Sequence, residues 1–351
     1  MFKLFNIFFT LLGVITVVFF LFNVLPGDPA RMMMDQNEDA KQLEIIKKKY
    51  GFDQPLLKQY LFYLNDLSII SLHSKNSDHI TSIDVNKYSY IELKNFKATT
   101  LILKIPYLRE SYQRKGVKVT TIISQTFPNT LVLAISSIFI ATFLGIFLGI
   151  ISALNKNSFL DYFIQFLSTL GISIPSFLSA IIFAWLFGYV LSEITGLNMT
   201  GSLYELDDFG NDYELRLKNL ILPSIVLGIR PVAVICMMMR SSLIKTLKQN
   251  YIISAYSKGL TTTQVIINHC IKNSLNPVIT ALSGWFASLL AGSVFVEYIF
   301  GWNGLGKEIV NSLNLLDVPV MIGAVIVISF SFIIINIFVD YIYKLLDPRI
   351  N

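Results

Sequence analysis

Charge is scarce in this chain. Of its 351 residues, 15% are Asp, Glu, Lys or Arg, whereas 54% are hydrophobic. A soluble domain carries about 25% charged residues, and a disordered chain has fewer apolar ones. The composition therefore excludes both classes and predicts a polytopic membrane protein. The net charge of +5 is modest and spread over several loops, so no nucleic-acid partner is expected.

Cysteine and histidine are also rare. Cys236 lies in an apolar stretch and Cys270 in a basic connecting segment, so no disulfide is expected. The three histidines, His73, His79 and His269, lack the spacing of a metal site. We expect this chain to bind neither a metal nor a cofactor.

Sequence motifs of known catalytic sites are missing as well. The run from Gly301 to Lys307 has the spacing of a phosphate-binding loop, but Glu308 stands where a magnesium-binding Ser or Thr is needed. The one aspartate at the depth of a predicted transmembrane helix is Asp340, and Lys344, one helical turn later, can pair with it. The sequence has no motif typical of a nucleophilic serine in a membrane protease. The sequence therefore predicts a protein that is not an enzyme.

Long apolar runs, in contrast, are plentiful. Each is long enough to cross a hydrocarbon core about 30 Å thick as a helix. Six windows meet this condition: Leu4 to Gly27, Val119 to Asn155, Tyr162 to Ser192, Asn219 to Met239, Asn273 to Val296 and Val318 to Val339. They predict an all-α integral membrane protein with six transmembrane helices. The first is too long for a signal peptide and is expected to be retained.

Lysine and arginine in the short loops predict the orientation. One side has nine: Lys3, Lys156, Arg240, Lys245, Lys248, Lys258, Lys272, Lys344 and Arg349. The other side has three: Arg216, Lys218 and Lys307. The first side, which includes both termini, is therefore predicted to be cytoplasmic.

These assignments divide the chain into four parts. They are a first helix over 1–27, an extracytoplasmic segment over 28–118, a five-helix core over 119–343 and a cytoplasmic tail over 344–351. Within 28–118, Tyr50 to Leu64 is expected to be ordered, because Leu57, Tyr60, Leu61 and Leu64 form a helical face. The stretch 68–104 has weak periodicity and receives no assignment.

The segment from Ile244 to Pro277 is basic and amphipathic. Two apolar stripes are predicted on it, the first Ile244, Leu247, Tyr251 and Ala255, the second Ile267, Ile271 and Leu275. Gly259 interrupts them, and Thr261 to Thr263 offer helix-capping oxygens. The pattern predicts a helix, a glycine break and a second helix outside the bilayer. It is compatible with a hairpin on the membrane surface and with a docking surface for a partner.

Arg230 is the one charged residue of the predicted span Asn219 to Met239. A charge near mid-span costs at least about 2.5–3.5 kcal/mol, so it marks a functional hypothesis. One interpretation places Arg230 and Glu297 on the translocation pathway, where Arg230 would meet an anionic group of the cargo. The other is a structural arginine, for which Glu297 is a possible partner.

Several motifs resemble one known family. Near the first helix they are Leu25-Pro26-Gly27-Asp28-Pro29-Ala30 and Tyr50-Gly51-Phe52-Asp53-Gln54-Pro55-Leu56-Leu57-Lys58-Gln59-Tyr60. Further along they are Leu160-Asp161, Arg240-Ser241-Ser242-Leu243, Lys258-Gly259-Leu260 and Leu346-Asp347-Pro348-Arg349-Ile350. Nearly end to end, the chain resembles the first of the two permease subunits of ATP-binding-cassette importers for dipeptides and oligopeptides.

The resemblance implies a type I importer permease fold in the bacterial cytoplasmic membrane, in contact with membrane lipid. It also implies three kinds of protein partner: a second homologous permease, two cytoplasmic ATPase subunits that carry ATP and magnesium, and an extracytoplasmic substrate-binding protein. The segment 244–277 would be the coupling loop that docks on the ATPases. Its matching residues are Tyr251, Ala255, Lys258, Gly259, Leu260 and His269.

Some positions depart from the family pattern. Ile253-Ser254-Ala255 stands where importers tend to have Glu-Ala-Ala, and 68–104 resembles an insertion. An importer of nickel or another small solute therefore remains an alternative to a peptide importer. Alternatives of another class are a secondary transporter and a membrane interaction protein whose amphipathic loop binds lipid.

Overall fold

The computed structural model describes residues 2–24, 29–34, 40–76, 79–83, 87–207, 209–210 and 212–346. Residues 25–28 of the first family motif and 347–350 of the tail motif lie outside this part of the chain.

Helix dominates the described residues. The helices before the first long span are α1 (Phe2–Val24), α2 (Pro29–Met32), α3 (Ala40–Tyr50) and α4 (Leu56–Leu67). Those that follow are α5 (Val119–Leu154), α6 (Phe159–Ser173), α7 (Ser176–Trp185), α8 (Ser192–Thr195), α9 (Lys218–Leu247), α10 (Asn250–Ser257), α11 (Thr262–Val265), α12 (Ile271–Ser274), α13 (Asn276–Gly292), α14 (Val294–Phe300), α15 (Leu305–Asn314) and α16 (Val318–Leu346). Two π-helical turns, Leu186–Val190 and Ile266–Cys270, interrupt them.

The predicted spans appear in two forms. Among the described residues, three helices are long and apolar enough to cross a membrane by themselves: Val119–Leu154, Lys218–Leu247 and Val318–Phe338. Two bent helix pairs meet the same condition if each pair is counted as one span: Phe159–Ser173 with Ser176–Val190 and Thr262–Ser274 with Asn276–Gly292. α1 covers the described residues of the first predicted span, and its apolar part, Ile7–Asn23, is shorter than a full span. The count of six spans stays a prediction.

The window predicted as one span over Tyr162 to Ser192 is broken in the structure. α6 and the α7 segment meet at an angle of 108°. Ile174, the residue before Pro175, is extended with φ −78° and ψ 128°, because proline disfavours helical geometry in the residue that precedes it. A single apolar run therefore gives two helices of different direction.

By its internal contacts the chain forms two compact units. The first unit comprises residues 1–126 and 308–330. Its core is formed by Phe19 of α1, Tyr63 of α4 and Met321 of α16, which are buried in one apolar cluster. Gly51 ends α3 with a left-handed φ of 75°, and the Phe52 N–H donates to the Lys47 carbonyl, a common helix ending.

The unassigned stretch 68–104 holds a small antiparallel sheet. Its strands are β1 (Ile70–Ser74), β2 (Tyr90–Asn95) and β3 (Thr99–Lys104), in the order β1-β3-β2. Several polar side chains of the sheet are buried and several of its apolar ones are exposed. The buried polar set is Ser71, His73, Thr100 and Lys104, and the exposed apolar set is Ile70, Leu72, Ile91 and Leu103, whereas apolar Ile102 is buried. This partly inverted pattern, with a register shift in β2, explains why the periodicity of the stretch is weak.

Lys104 is buried because its ammonium donates to the Asp66 carbonyl and lies 5.1 Å from the centre of the Tyr88 ring. Burial lowers the pKa of Lys104 from 10.5 to about 8. Burial also raises the pKa of Tyr112 from 10.0 to about 12, and that of Tyr63 further. The unit therefore holds titratable groups whose pKa values shift in opposite directions.

These shifts predict an alkaline stability maximum. Between pH 8 and 10.5 the unfolded chain binds more protons at Lys104 than the folded chain, so stability rises with pH. Above pH 10 the unfolded tyrosines lose protons that folded Tyr112 keeps until about pH 12, so stability falls. Protease resistance of residues 40–126 in the purified chain, measured against pH, should show both limbs. Lys104→Met should flatten the rising limb, and an unchanged profile would contradict the assignment.

The second unit comprises residues 127–307 and 331–351. In it, α5 and α9 approach closely at two glycines. A Cβ on Gly145 would lie 2.6 Å from Ile235 Cγ2, and one on Gly149 would lie 2.7 Å from Met239 Cβ. Only glycine allows this contact, which fixes α5 against the half of α9 that leads into the segment 244–277. This unit also contains a hairpin of β4 (Tyr204–Leu206) and β5 (Tyr213–Leu215).

Candidate functional site

The connection between α9 and α13 has the predicted helix, glycine break and helix. α10 ends at Ser257, and Gly259 follows with a left-handed φ of 82°. Thr261 then caps α11: its hydroxyl accepts from the Gln264 N–H, and the Gln264 side chain accepts from the Thr261 N–H. This reciprocal capping box and the glycine turn are local features, which is why the sequence predicted them.

The predicted stripes are confirmed at five of their seven positions: Ala255 is buried in an apolar cluster, and Ile244, Leu247, Ile271 and Leu275 pack against it. Tyr251 and Ile267, the other two stripe residues, are 43% and 60% exposed. Ile252, Val265 and Cys270 pack inward in addition. α9 stops at Leu247 and α10 starts at Asn250, so the helical phase is reset, and the π turn Ile266–Cys270 shifts it again.

The connection is packed firmly onto the end of α9. Its inward side chains share one apolar cluster with Ile235, Met239 and Leu243 of α9. The Ser274 and Thr246 hydroxyls lie 3.1 Å apart and hydrogen bond, and the Asn273 amide donates to the Tyr251 hydroxyl over 2.8 Å. The connection and the end of α9 thus form one rigid body.

The six predicted docking residues differ in their exposure to solvent. Tyr251, Lys258 and Gly259 are exposed, whereas Ala255 is buried in the apolar cluster. Leu260 packs partly against the same cluster, and His269 is half-buried. Ala255 and Leu260 therefore shape the connection from inside and leave little surface for a partner.

Ile253 and Tyr256 are exposed apolar residues of the connection that were not predicted to contact a partner. Ile267, which was assigned to an apolar stripe, is exposed as well. The signal was present in the segment, because Ile253 and Tyr256 are three residues apart on one helix. These three residues and the exposed Tyr251 and Lys258 are together called the docking face.

An ion pair joins α9 to the first turn of α6. Arg240 Nε donates to Asp161 Oδ1 over 2.7 Å, and Arg240 Nη2 donates to Asp161 Oδ2 over 2.6 Å. The Ser152 hydroxyl and the Asn157 N–H also donate to this carboxylate, which is 1% exposed. Both residues belong to family motifs noted in the sequence, but their pairing was not predicted. The feature that could have indicated it is one isolated acid and one isolated base, each near the end of an apolar span.

Arg230 and Glu297 do not form the pair considered from the sequence. Within the described residues Arg230 makes no ion pair, and its buried Nε has no hydrogen-bond partner. Glu297 Oε2 instead accepts from the N–H groups of Gly306 and Lys307, over 2.7 and 3.1 Å. Glu297 thus caps the N-terminus of α15, where a carboxylate is favoured by the helix dipole.

The Glu297 carboxylate is buried tightly beside Gly304. A Cβ on Gly304 would clash with Glu297 Oε2, so this position has room for glycine alone. Burial raises the pKa of Glu297, and hydrogen bonds from its neighbours oppose that shift. Glu297 Oε1 is buried without a hydrogen-bond partner. Across the described part of the chain, no group of three or more His, Cys, Asp or Glu side chains could hold a metal ion.

Two family models match the chain. Residues 145–351 match the binding-protein-dependent transport system inner membrane component, and residues 2–101 match the N-terminal part of the corresponding membrane component. The second match includes most of the stretch 68–104, which was expected to be an insertion relative to the family. Together the two matches cover most of the chain.

Curated relatives are similar over nearly the whole length. A dipeptide transport system permease protein of Alkalihalophilus pseudofirmus is 30% identical, over 97% of this chain and 95% of its own. The dipeptide permease of Bacillus subtilis is 33% identical over 97% of this chain and 94% of its own. The oligopeptide permease protein of the same species is 32% identical over 97% and 95%.

A solved structure shows the same fold. The inward-facing MetNI methionine ABC transporter contains a chain that superposes with a TM-score of 0.54 at 15% identity, over 65% of this chain and 97% of that one. The likeness supports the type I importer permease fold. The chain belongs to the family of binding-protein-dependent transport system inner membrane components and is a permease subunit of an ABC importer.

Proposed function

We propose that this chain is the first of the two permeases of an importer for dipeptides or oligopeptides. The peptide cargo is proposed because the curated relatives named above are dipeptide and oligopeptide permeases. Its partners are a second homologous permease, two cytoplasmic ATPase subunits that bind ATP and magnesium, and an extracytoplasmic binding protein. Both termini and the connection 244–277 face the cytoplasm, as the positive charge of the short loops predicts.

The observation that carries the proposal is the rigid attachment of the docking face to α9. The docking face presents Tyr251, Ile253, Tyr256, Lys258 and Ile267, apolar side chains beside a lysine, which suits the groove of a soluble partner. Because the connection packs onto the end of α9, a displacement of the docking face by the ATPases moves α9 with it.

The Asp161–Arg240 pair extends this rigid body. It joins the first turn of α6 to α9 at a point about two turns before Leu247. Closure of the ATPases on ATP would therefore move α9 and the start of α6 together, and shift the cavity between outward-open and inward-open states. Peptide moves through this permease while ATP is hydrolysed on the partner chains.

A double variant of the turn tests the proposal. Gly259→Pro cannot adopt the φ of 82° at this position, and Lys258→Glu reverses the charge of the docking face. In proteoliposomes that contain the four membrane and ATPase subunits and the binding protein, ATP-driven dipeptide uptake should fall at least about tenfold. The complex should still assemble, because neither side chain belongs to the apolar cluster.

The matched control is Lys156→Glu, the same charge reversal at an exposed lysine in the turn between α5 and α6. It should leave uptake within about twofold of the wild type, since surface charges contribute little. Normal uptake by the double variant, or equal loss in the control, would contradict the docking assignment.

A further inference from the structure

A second feature with binding chemistry lies in the first unit, whereas the docking face belongs to the second. A partly open cavity of about 240 Å³ is bounded by the end of α3, the end of α4 and residues 107–112. One buried water needs only roughly 10–15 Å³, so this space admits a small organic ligand. Transport as described above uses none of the residues that line it.

The floor of the cavity is a preformed ion pair. Arg109 Nε donates to Asp66 Oδ2 over 2.9 Å, and the Tyr88 hydroxyl donates to Asp66 Oδ1 over 2.9 Å. The Arg109 guanidinium also lies 5.0 Å from the centre of the Tyr63 ring. Both charges of the pair are therefore satisfied before any ligand arrives.

The backbone of Arg109 is strained. Its φ of 67° lies in the left-handed region, which residues other than glycine seldom adopt. The Arg109 carbonyl accepts from the Val119 N–H over 3.0 Å, which helps to hold this conformation. Strain that the surrounding structure maintains is concentrated at binding and catalytic sites.

The walls carry charge that the floor does not neutralise. Lys49, Lys87 and Glu110 line the cavity. Among the described residues none of the three is part of an ion pair, and Lys49 Nζ lies 5.6 Å from the centre of the Tyr50 ring. Tyr50 and Tyr107 line the cavity as well. Once Asp66 and Arg109 are set aside as a pair, the lining offers two ammonium groups, one carboxylate and aromatic surface.

This combination fits a small zwitterion. Lysines and tyrosine hydroxyls can bind a carboxylate, a glutamate can bind an ammonium group, and tyrosine rings pack against an apolar side chain. We propose that the cavity binds a free dipeptide by its two charged ends, at a site separate from the docking face. This proposal rests on the proposed peptide cargo. The site holds substrate on the permease itself.

The test uses the assembled transporter in nanodiscs, without the binding protein and without ATP. Calorimetric titration with L-alanyl-L-phenylalanine should show binding. The double variant Lys49→Gln with Lys87→Gln should weaken it at least about tenfold, the loss expected for charged hydrogen bonds. L-alanyl-L-phenylalaninamide, which lacks the carboxylate, should bind the wild type about tenfold more weakly and respond little to the lysine replacements.

The control is Lys97→Gln, an exposed lysine of the same unit outside the cavity, which should leave binding unchanged. Each variant is checked for an unchanged melting temperature, and Glu110→Gln provides a second variant that removes only the ammonium partner. No binding by the wild type, equal affinity for the amide, or equal weakening by Lys97→Gln would overturn the proposal.

Uptake assays separate this inference from the proposed function. ATP-driven dipeptide uptake without dipeptide binding in the nanodisc titration refutes the cavity site and leaves the importer assignment standing. Carboxylate-dependent binding at the cavity without dipeptide uptake supports the site and refutes the peptide cargo.

Discussion

Replacing Arg240 by alanine is expected to destabilise the chain by about 3–5 kcal/mol, the cost of leaving a buried charge without its partner. Asp161 is 1% exposed and would keep only the Ser152 and Asn157 donors. Titration of the purified chain with denaturing detergent in mixed micelles measures the change in the free energy of unfolding.

The chain offers a matched control for this prediction. Arg216 and Glu214 form an ion pair at 2.8 Å whose side chains are 44% and 52% exposed. Arg216→Ala should cost less than about 1 kcal/mol, because water solvates the freed carboxylate. Equal losses for Arg216→Ala and Arg240→Ala would show that burial of the pair is not the cause.

A double replacement separates charge from packing. Asp161→Asn with Arg240→Gln leaves no buried charge and should recover part of the loss seen for Arg240→Ala. If the Asp161–Arg240 pair also transmits motion, this variant should remain stable enough to assemble and yet transport less peptide per ATP hydrolysed. Full transport by the double variant would restrict the pair to a role in stability.

Replacing Trp302 by alanine is expected to cost about 3–5 kcal/mol, as large-to-small changes in a packed core do. The side chain is 0% exposed and lies in one cluster with Leu133, Leu290 and Phe300. Its Nε1 donates to the Asn129 carbonyl over 3.1 Å, which joins the turn after α14 to α5. The same detergent titration measures the loss.

Two further variants distinguish the loss of the hydrogen bond and of the core position from the loss of a tryptophan side chain as such. Trp302→Phe keeps most of the apolar volume and loses the donor, so it should cost clearly less than Trp302→Ala. Trp185→Ala removes the same side chain from a position that is 54% exposed and should cost much less in micelles. A loss at Trp185 as large as that at Trp302 would contradict the assignment of the Trp302 cluster as core.

The buried carboxylate of Glu297 has a structural role at the start of α15. From the sequence it was a possible partner for Arg230 and a possible pathway residue. In the structure its carboxylate accepts from two backbone N–H groups at the start of α15, so its place is explained by helix capping. A role of Arg230 in the translocation pathway stays a prediction, which Arg230→Met and an uptake assay can test.

The sequence by itself determined the membrane class, the approximate windows of the apolar helices and the turn at Gly259 with the cap at Thr261. Each of these depends on residues close together in the chain: hydropathy is summed over a window, and a glycine or a capping threonine acts on its own turn. The windows were less reliable as single helices, because Pro175 divides one of them into two directions.

Only the tertiary structure decided that Tyr251 and Ile267 of the predicted stripes are exposed, which acid pairs with Arg240, and how the stretch 68–104 folds. Asp161 and Arg240 are 79 positions apart, and their pairing follows from the packing of α6 on α9. The inverted sheet buries Lys104 because Asp66 and Tyr88 receive its ammonium. Where a charge finds its partner is a property of long-range packing, and no local pattern in the sequence encodes it.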